Sequence, residues 1–154
     1  MIRTIIAFRQ DEAGDWIAEL SCLHARHVRH RPLLENHPWV LEESGRVEHL
    51  GTEIECKWCD NLEMPPGLQR ISVLGPLLTL DPSDAIPESW HIPAGVWGVL
   101  VVLAGSIKVS NVAARIEATL QGPMARLSIP PETLAILSPA PQTAIELELW
   151  SAQD

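Results

Sequence analysis

The sequence of 154 residues has no tyrosine, one phenylalanine and only three cysteines. An odd number of cysteines excludes a scheme in which every thiol joins an intramolecular disulfide. The chain also lacks a run of about twenty apolar residues, so no membrane-spanning helix is expected. Its N-terminal stretch is apolar too briefly for a signal peptide. These absences predict a protein of the reducing cytoplasm, where thiols remain able to bind a metal ion.

Basic residues are scarce: 11 Lys and Arg stand against 20 Asp and Glu, for a net charge of −9. Residues 1–64 contain 7 basic and 12 acidic residues, and residues 65–154 contain 4 and 8, so both parts are acidic. A nucleic-acid-binding domain is expected to carry a broad basic field. The charge therefore argues against nucleic acid as a partner.

Short strands and turns dominate the pattern, because 13 prolines and 9 glycines interrupt a sequence that is 46% hydrophobic. Near the N-terminus, residues 2–9 and 16–21 alternate around a turn cluster and predict a β-hairpin. Residues 42–50 predict a short helix, which Gly45 weakens. Beyond residue 65, turn signals, among them Gly75-Pro76, separate predicted strands at 70–74, 77–80, 96–103, 106–110, 112–120, 125–129, 133–137 and 143–150.

The segment Met64-Pro65-Pro66-Gly67 is the predicted domain boundary, since Pro-Pro-Gly stiffens and turns the chain. We expect two domains, residues 1–63 and 64–154. Closely spaced short strands are typical of an all-β sandwich or barrel. The predicted fold is therefore mainly β, with a small zinc-ribbon-like N-terminal domain followed by a β-barrel or sandwich.

The three cysteines and one histidine fall into two pairs, Cys22-x-His24 and Cys56-x2-Cys59. Three thiolates and one imidazole are the ligand set of a closed structural zinc site. The sequence therefore predicts one structural zinc ion per chain. His27 is an alternative to His24 as the fourth ligand, since only one imidazole is needed. The competing interpretations are buried core thiols, a metal site with an open coordination position, and a redox dithiol at Cys56/Cys59.

Histidine and arginine each recur at every second or third position from His24 to Arg31. If this segment is a strand, His24, Arg26, Val28 and His30 share one face. The segment is either a solvated polar strand or a small cationic patch for an anion, such as a phosphate or carboxylate group.

The N-terminal part resembles a small bacterial family of unknown function. The residues that carry this resemblance run from Gly14 to Cys22, then His24, then from His27 to Pro32, and continue with Pro38-Trp39-Val40, Gly51 and the Cys56/Cys59 pair. The resemblance covers about residues 1–62. The family often has glycine where this chain has Leu23. It implies zinc binding and no known activity.

The C-terminal part resembles the small cupin-like domain of tellurite-resistance-related proteins, over about residues 65–151. The motif Ala94-Gly95-Val96-Trp97-Gly98 is its most specific feature. The resemblance implies a cupin-type β-barrel that binds a metal ion or small ligand in stress responses. A homodimer is expected by analogy only.

A cupin metal centre needs several imidazoles or carboxylates inside the barrel. Residues 64–154 contain one histidine, His91, and Ala135 stands where the resembling family carries its later histidine. We therefore expect a degenerate, metal-free barrel. If a metal is present, His91 would bind it with Glu132, Glu146 or Glu148, although the last two are expected to face solvent. Trp90, Trp97 and Trp150 either line an apolar pocket or fill the core or a dimer interface.

No Gly-x-Ser-x-Gly elbow or glycine-rich phosphate loop is present, so nucleophilic catalysis has little support. The sequence favours a non-enzymatic bacterial zinc-binding protein whose barrel binds a small ligand or partner in a stress or tellurite-type metal response. The alternative is a metal-dependent cupin-type enzyme that acts on a small molecule, with His91 as its first ligand.

Overall fold

The structure, a computed structural model, describes residues 1–31, 33–34, 36–79, 85–111 and 114–152. The chain divides into two compact units, Met1–Lys57 and Trp58–Asp154. Both are built mainly of antiparallel strands, which confirms the predicted mainly β class. No helix in the described ranges is long and apolar enough to cross a bilayer. The predicted boundary after residue 63 stays a prediction.

The first unit is a four-stranded antiparallel sheet of order β3-β2-β1-β4. Its elements are β1 (Ile2–Gln10), β2 (Trp16–Leu20), β3 (Ala25–His27), a 3-10 turn (Pro38–Leu41), α1 (Glu43–Glu48) and β4 (Glu53–Glu55). The predicted hairpin is present: Asp11 Oδ1 accepts hydrogen bonds from the N–H groups of Ala13 and Asp15, which closes the turn. The predicted helix is also present, one residue shorter at its N-terminal end and two residues shorter at its C-terminal end.

The described part of the second unit contains two four-stranded antiparallel sheets, of order β10-β7-β12-β5 and β6-β11-β8-β9, as expected for a β-barrel or sandwich. Its elements are α2 (Lys57–Asp60), β5 (Gln69–Leu78), β6 (Ser89–His91), β7 (Trp97–Ala104), β8 (Ser106–Asn111), β9 (Ile116–Gln121), β10 (Ala125–Ile129), β11 (Leu134–Pro139) and β12 (Ala144–Ser151). Helix α2 begins at the last residue of the first unit.

The strands of the second unit differ from the prediction in three places, one of them the start of β9, which begins at Ile116 rather than at residue 112. Gly75-Pro76 was predicted as a turn between strands, but it lies inside β5 and forms a bulge there, since these two residues oppose the single residue Glu146 of β12. Strand β6 was not predicted, because three residues are too few to show alternation. Residues 80 and 112–113 of two predicted strands, like Pro32, lie outside the described residues.

The core of the second unit comes from alternating residues of both sheets. Leu100 and Val102 of β7 are fully buried, as are Val109 of β8 and Ala135 of β11. Gly98 marks where β7 approaches β6 closely, because a Cβ atom there would lie 2.8 Å from the Trp90 ring. Trp90 thus packs onto the face of β7 that carries Gly98 and Leu100.

Candidate metal centre

The Cys22/His24 pair lies in a tight turn directly after β2. The Leu23 N–H donates to the Leu20 carbonyl at 2.8 Å, and the Leu20 N–H donates to the His24 carbonyl at 2.9 Å. Leu23 has a φ of +68°, the left-handed conformation that glycine adopts at the least cost. This backbone places the Cys22 and His24 side chains on the same side of the turn.

The Cys56/Cys59 pair is positioned by β4 and α2. Strand β4 pairs with β1, and the Cys56 N–H continues this ladder by donating to the Met1 carbonyl at 2.8 Å. Cys59 lies in the single turn of α2, three residues after Cys56. A spacing of three on a helical turn brings two side chains together, so both thiols face one point.

The four side chains converge with the spacing of a tetrahedral metal site. Cys22 Sγ lies 3.8 Å from Cys56 Sγ, and His24 Nδ1 lies 3.4 Å from Cys22 Sγ and 3.5 Å from Cys56 Sγ. With zinc–sulfur and zinc–nitrogen bonds of usual length, a tetrahedron has S···S edges of about 3.8 Å and S···N edges of about 3.6 Å. Including Cys59, all four donor atoms lie within 4.8 Å of one another.

All four side chains are buried: Cys22, Cys56 and Cys59 are at most 1% exposed, and His24 is 7% exposed. The three cysteines form no disulfide. Ordinary core thiols would have no reason to point their sulfurs and an imidazole nitrogen at one centre. Within the described ranges, this is the one group of His, Cys, Asp or Glu donors with metal-site spacing.

His27, the alternative fourth ligand, lies outside this cluster. Its Nε2 is 2.9 Å from Asp11 Oδ2, and its side chain is exposed. The hydrogen bond from His27, supported by backbone N–H groups of Asp15 and Ala13, lowers the pKa of the Asp11 carboxyl. The structure therefore gives His27 an ion-pair partner and gives His24 the position beside the three thiols.

The predicted barrel residues are not brought together. His91 lies in β6 opposite Leu134 and is exposed, and Glu132 is exposed in the turn before β11. Trp97 is fully buried, but it neighbours Gly98 along β7, so its ring lies on the opposite face of the strand from Trp90. The two tryptophans therefore do not line a common pocket.

Glu148 was expected to face solvent, and this was wrong. It is 2% exposed and forms ion pairs with Arg70 at 3.0 Å and Arg126 at 2.6 Å. The Trp150 indole N–H also donates to this carboxylate at 2.9 Å. The partners come from β5 and β10, and alternation along β12 alone contains no signal for such long-range pairing.

The family model described as "Protein of unknown function (DUF3565)" matches residues 6–63, which include all four cluster residues. The matched region and the cluster fit a small uncharacterised family with a Cys/His metal site, and together they support a metal-binding protein. The cupin resemblance of residues 65–151 lies beyond this match and stays a prediction.

The curated proteins yield no match to this chain. Among solved structures, the chain is similar to the crystal structure of a protein from E. coli (strain K12), a structural genomics target. The two align with a TM-score of 0.48 and 16% identity, over 59% of this chain and 97% of that one.

Proposed function

We propose that the protein binds one zinc ion through Cys22, His24, Cys56 and Cys59. The observation that carries the proposal is the agreement of three donor separations, 3.4, 3.5 and 3.8 Å, with the edges of a zinc tetrahedron. A donor set of three sulfurs and one imidazole nitrogen in tetrahedral geometry favours zinc over harder ions such as magnesium or calcium.

The proposed role of the ion is structural. Four protein donors complete a tetrahedral zinc shell, and their burial leaves no coordination position for a water or substrate. The ion would join the turn after β2 to the segment from β4 to α2. A unit of this size buries little apolar surface, and zinc binding to a folded site contributes directly to folding free energy.

The finer proposal concerns the second unit: a metal-free, cupin-like barrel that binds a small ligand or partner in the reducing cytoplasm of a bacterium, in a metal or stress response. Its support is the buried methyl group of Ala135, where the resembling family carries a histidine, and the exposure of His91. In this proposal the protein is not an enzyme.

Metal analysis of the purified protein tests the zinc site. We expect one zinc per chain in the wild type and in His27→Ala, and none in His24→Ala or Cys56→Ser. The His27→Ala variant is the matched control, because it removes an imidazole three residues from His24. A protein that loses zinc in His27→Ala and keeps it in His24→Ala would refute the ligand assignment.

A substitution that keeps four donors separates loss of binding from loss of folding. His24→Cys should retain one zinc and, with cobalt(II) in its place, show stronger thiolate-to-metal charge-transfer absorption than the wild type. If the wild type shows no such absorption with cobalt, thiolates do not bind the ion and the proposal fails.

The stoichiometry also tests the metal-free barrel. His91→Ala should leave the single zinc equivalent unchanged. A second metal equivalent that this variant removes would overturn the proposal for the second unit, while leaving the zinc site intact.

A further inference from the structure

A cavity of about 190 Å³ lies within the first unit, and none of the four metal-site residues lines it. Its apolar wall includes Ile5 of β1, Val28 after β3 and Ile54 of β4. The lining also includes two arginines and three imidazoles: Arg26, Arg29, His27, His37 and His49. A cavity lined by both apolar side chains and arginines suits a ligand with an apolar body and an anionic group.

Part of the wall is held rigidly by ring packing. Trp39 stacks on His49 with ring centroids 3.6 Å apart and planes 6° apart, and Phe8 meets Trp39 edge-on at 5.9 Å. His49 Nδ1 also lies 2.7 Å from the Gly45 carbonyl oxygen, to which it donates a hydrogen bond. These contacts fix the aromatic wall in advance, which reduces the ordering cost of binding.

Some basic side chains of the lining form ion pairs with aspartates, and others do not. Arg29 pairs with Asp15 at 2.6 Å, and His27 pairs with Asp11 at 2.9 Å. Arg26 is exposed and forms no ion pair with any residue that the structure describes. Among the described residues it is thus the arginine of the lining that has no acidic partner, in a chain of net charge −9. Arg26 is therefore the side chain of the lining that is most able to bind an anion.

The three imidazoles of the lining do not form a second metal site. His27, His37 and His49 belong to no group with metal-site spacing within the described ranges. His49 already donates from Nδ1 to the Gly45 carbonyl oxygen, and His27 Nε2 already pairs with Asp11. The Arg26 guanidinium, whose fork of N–H groups matches a carboxylate, is therefore the group that would bind an anion.

We propose that this cavity binds a small organic anion with a flat apolar body and a carboxylate head. The head would pair with Arg26, and the body would contact the wall of Ile5, Val28 and Ile54. Within the segment from His24 to Arg31, which the sequence offered as a cationic patch, this proposal names Arg26 as the anion-binding residue and an organic carboxylate as the ligand. This proposal does not depend on the identity of the metal.

Benzoate is the probe, and benzamide is its neutral counterpart of nearly the same shape. Binding to the full, metal-loaded chain is followed by amide chemical-shift changes in two-dimensional NMR. Arg26→Gln removes the proposed partner. Arg31→Gln is the matched control, because Arg31 is an exposed arginine of the same segment that does not line the cavity. Inorganic phosphate tests whether an anionic head alone suffices.

We expect benzoate to shift the amides of residues 26–29 and 49–54. Loss of one charge-assisted pair should weaken binding about tenfold, both for benzoate with Arg26→Gln and for benzamide with the wild type. Arg31→Gln should bind benzoate within about twofold of the wild type. The proposal is overturned if benzoate and benzamide bind equally, if Arg26→Gln binds as wild type, or if phosphate binds as tightly as benzoate. Shifts confined to residues outside the cavity, or no shifts, would also refute it.

Discussion

Leu23 holds a backbone conformation that costs an L-residue about 1 kcal/mol or more. Its φ of +68° is needed because the turn after β2 must reverse within two residues to place Cys22 and His24 together. The resembling family often has glycine here, which this conformation explains. The half-buried leucine side chain thus adds packing at a position where its backbone conformation is strained.

Replacing Leu23 by its isomer isoleucine should expose this strain. Branching at Cβ makes the left-handed region far less accessible, while the size of the side chain is unchanged. We expect Leu23→Ile to lower the free energy of unfolding of the metal-loaded protein by about 1–2 kcal/mol. Urea denaturation measures the change, and Leu23→Gly, within about 1 kcal/mol of wild type, is the control. Equal stability of all three would show that the turn carries no strain.

Glu148 depends on two arginines that reach it from other strands. The guanidinium groups are about half exposed, with side chains of Arg70 52% and Arg126 45% accessible, whereas the carboxylate is 2% accessible. Water can therefore solvate the arginines if the pair is broken, but not the glutamate. Water screens each of the two ion pairs, so each one alone contributes little to stability. The main free-energy cost arises when the buried carboxylate is left without either arginine.

This asymmetry predicts a rescue. The double variant Arg70→Ala/Arg126→Ala should lose about 3 kcal/mol in the free energy of unfolding of the second unit, because a buried charge loses its partners. Adding Glu148→Leu should recover most of that loss, since an apolar side chain of similar volume needs no partner. Denaturant titration followed by tryptophan fluorescence measures both changes. A triple variant less stable than the double variant would contradict this account.

Helix α1 owes its position to Gly45. A Cβ atom there would lie 2.9 Å from the backbone C and Cα atoms of Trp39, closer than atoms pack in proteins. The helix and the 3-10 turn before it therefore touch through bare backbone, which places His49 against the Trp39 ring. The glycine that weakens the helix in the sequence is the residue that lets it pack.

Gly45→Ala should destabilise the first unit although alanine is the better helix former. The propensity gain of about 1 kcal/mol is outweighed by overpacking against backbone, which costs up to about 3 kcal/mol. We expect a lower midpoint of thermal unfolding, followed by circular dichroism. Ser44→Ala, at an exposed neighbouring position, should stay within about 0.5 kcal/mol of wild type. If Gly45→Ala is more stable than wild type, the close approach is not required.

Local patterns in the sequence were sufficient for some elements and not for others. The hairpin of β1 and β2 and both donor pairs follow from alternation and short-range spacing. The interior position of Gly75-Pro76 depends on β12, which lies about seventy residues away in sequence and pairs with both sides of the bulge. The burial of Glu148 likewise depends on Arg70 and Arg126, and no short window contains both partners.

The two units should respond differently when the metal is removed. In the proposed structural role, chelation removes the cross-link between the turn after β2 and the segment from β4 to α2, and the first unit should unfold. The second unit has its own core of two sheets and should remain folded. Limited proteolysis after chelation should therefore digest residues 1–63 and leave a fragment of about residues 64–154, identified by mass spectrometry.

A zinc-deficient variant provides the control for chelator effects. Cys22→Ser should give the same fragment without chelator, and the untreated wild type should resist cleavage. If the whole chain is digested at once, the two units fold as one cooperative body and the proposed domain division is wrong.

The position of Pro76 has a consequence for self-association. Strand β5 forms an edge of its sheet and exposes Ile71, Val73 and Leu74, a combination that invites a strand from another molecule to add by hydrogen bonding. Proline has no N–H to offer, and the bulge in which it lies bends the strand, so a continuous ladder cannot extend along this edge. The same dipeptide that interrupts the sequence pattern thus acts as a safeguard against fibrillar aggregation.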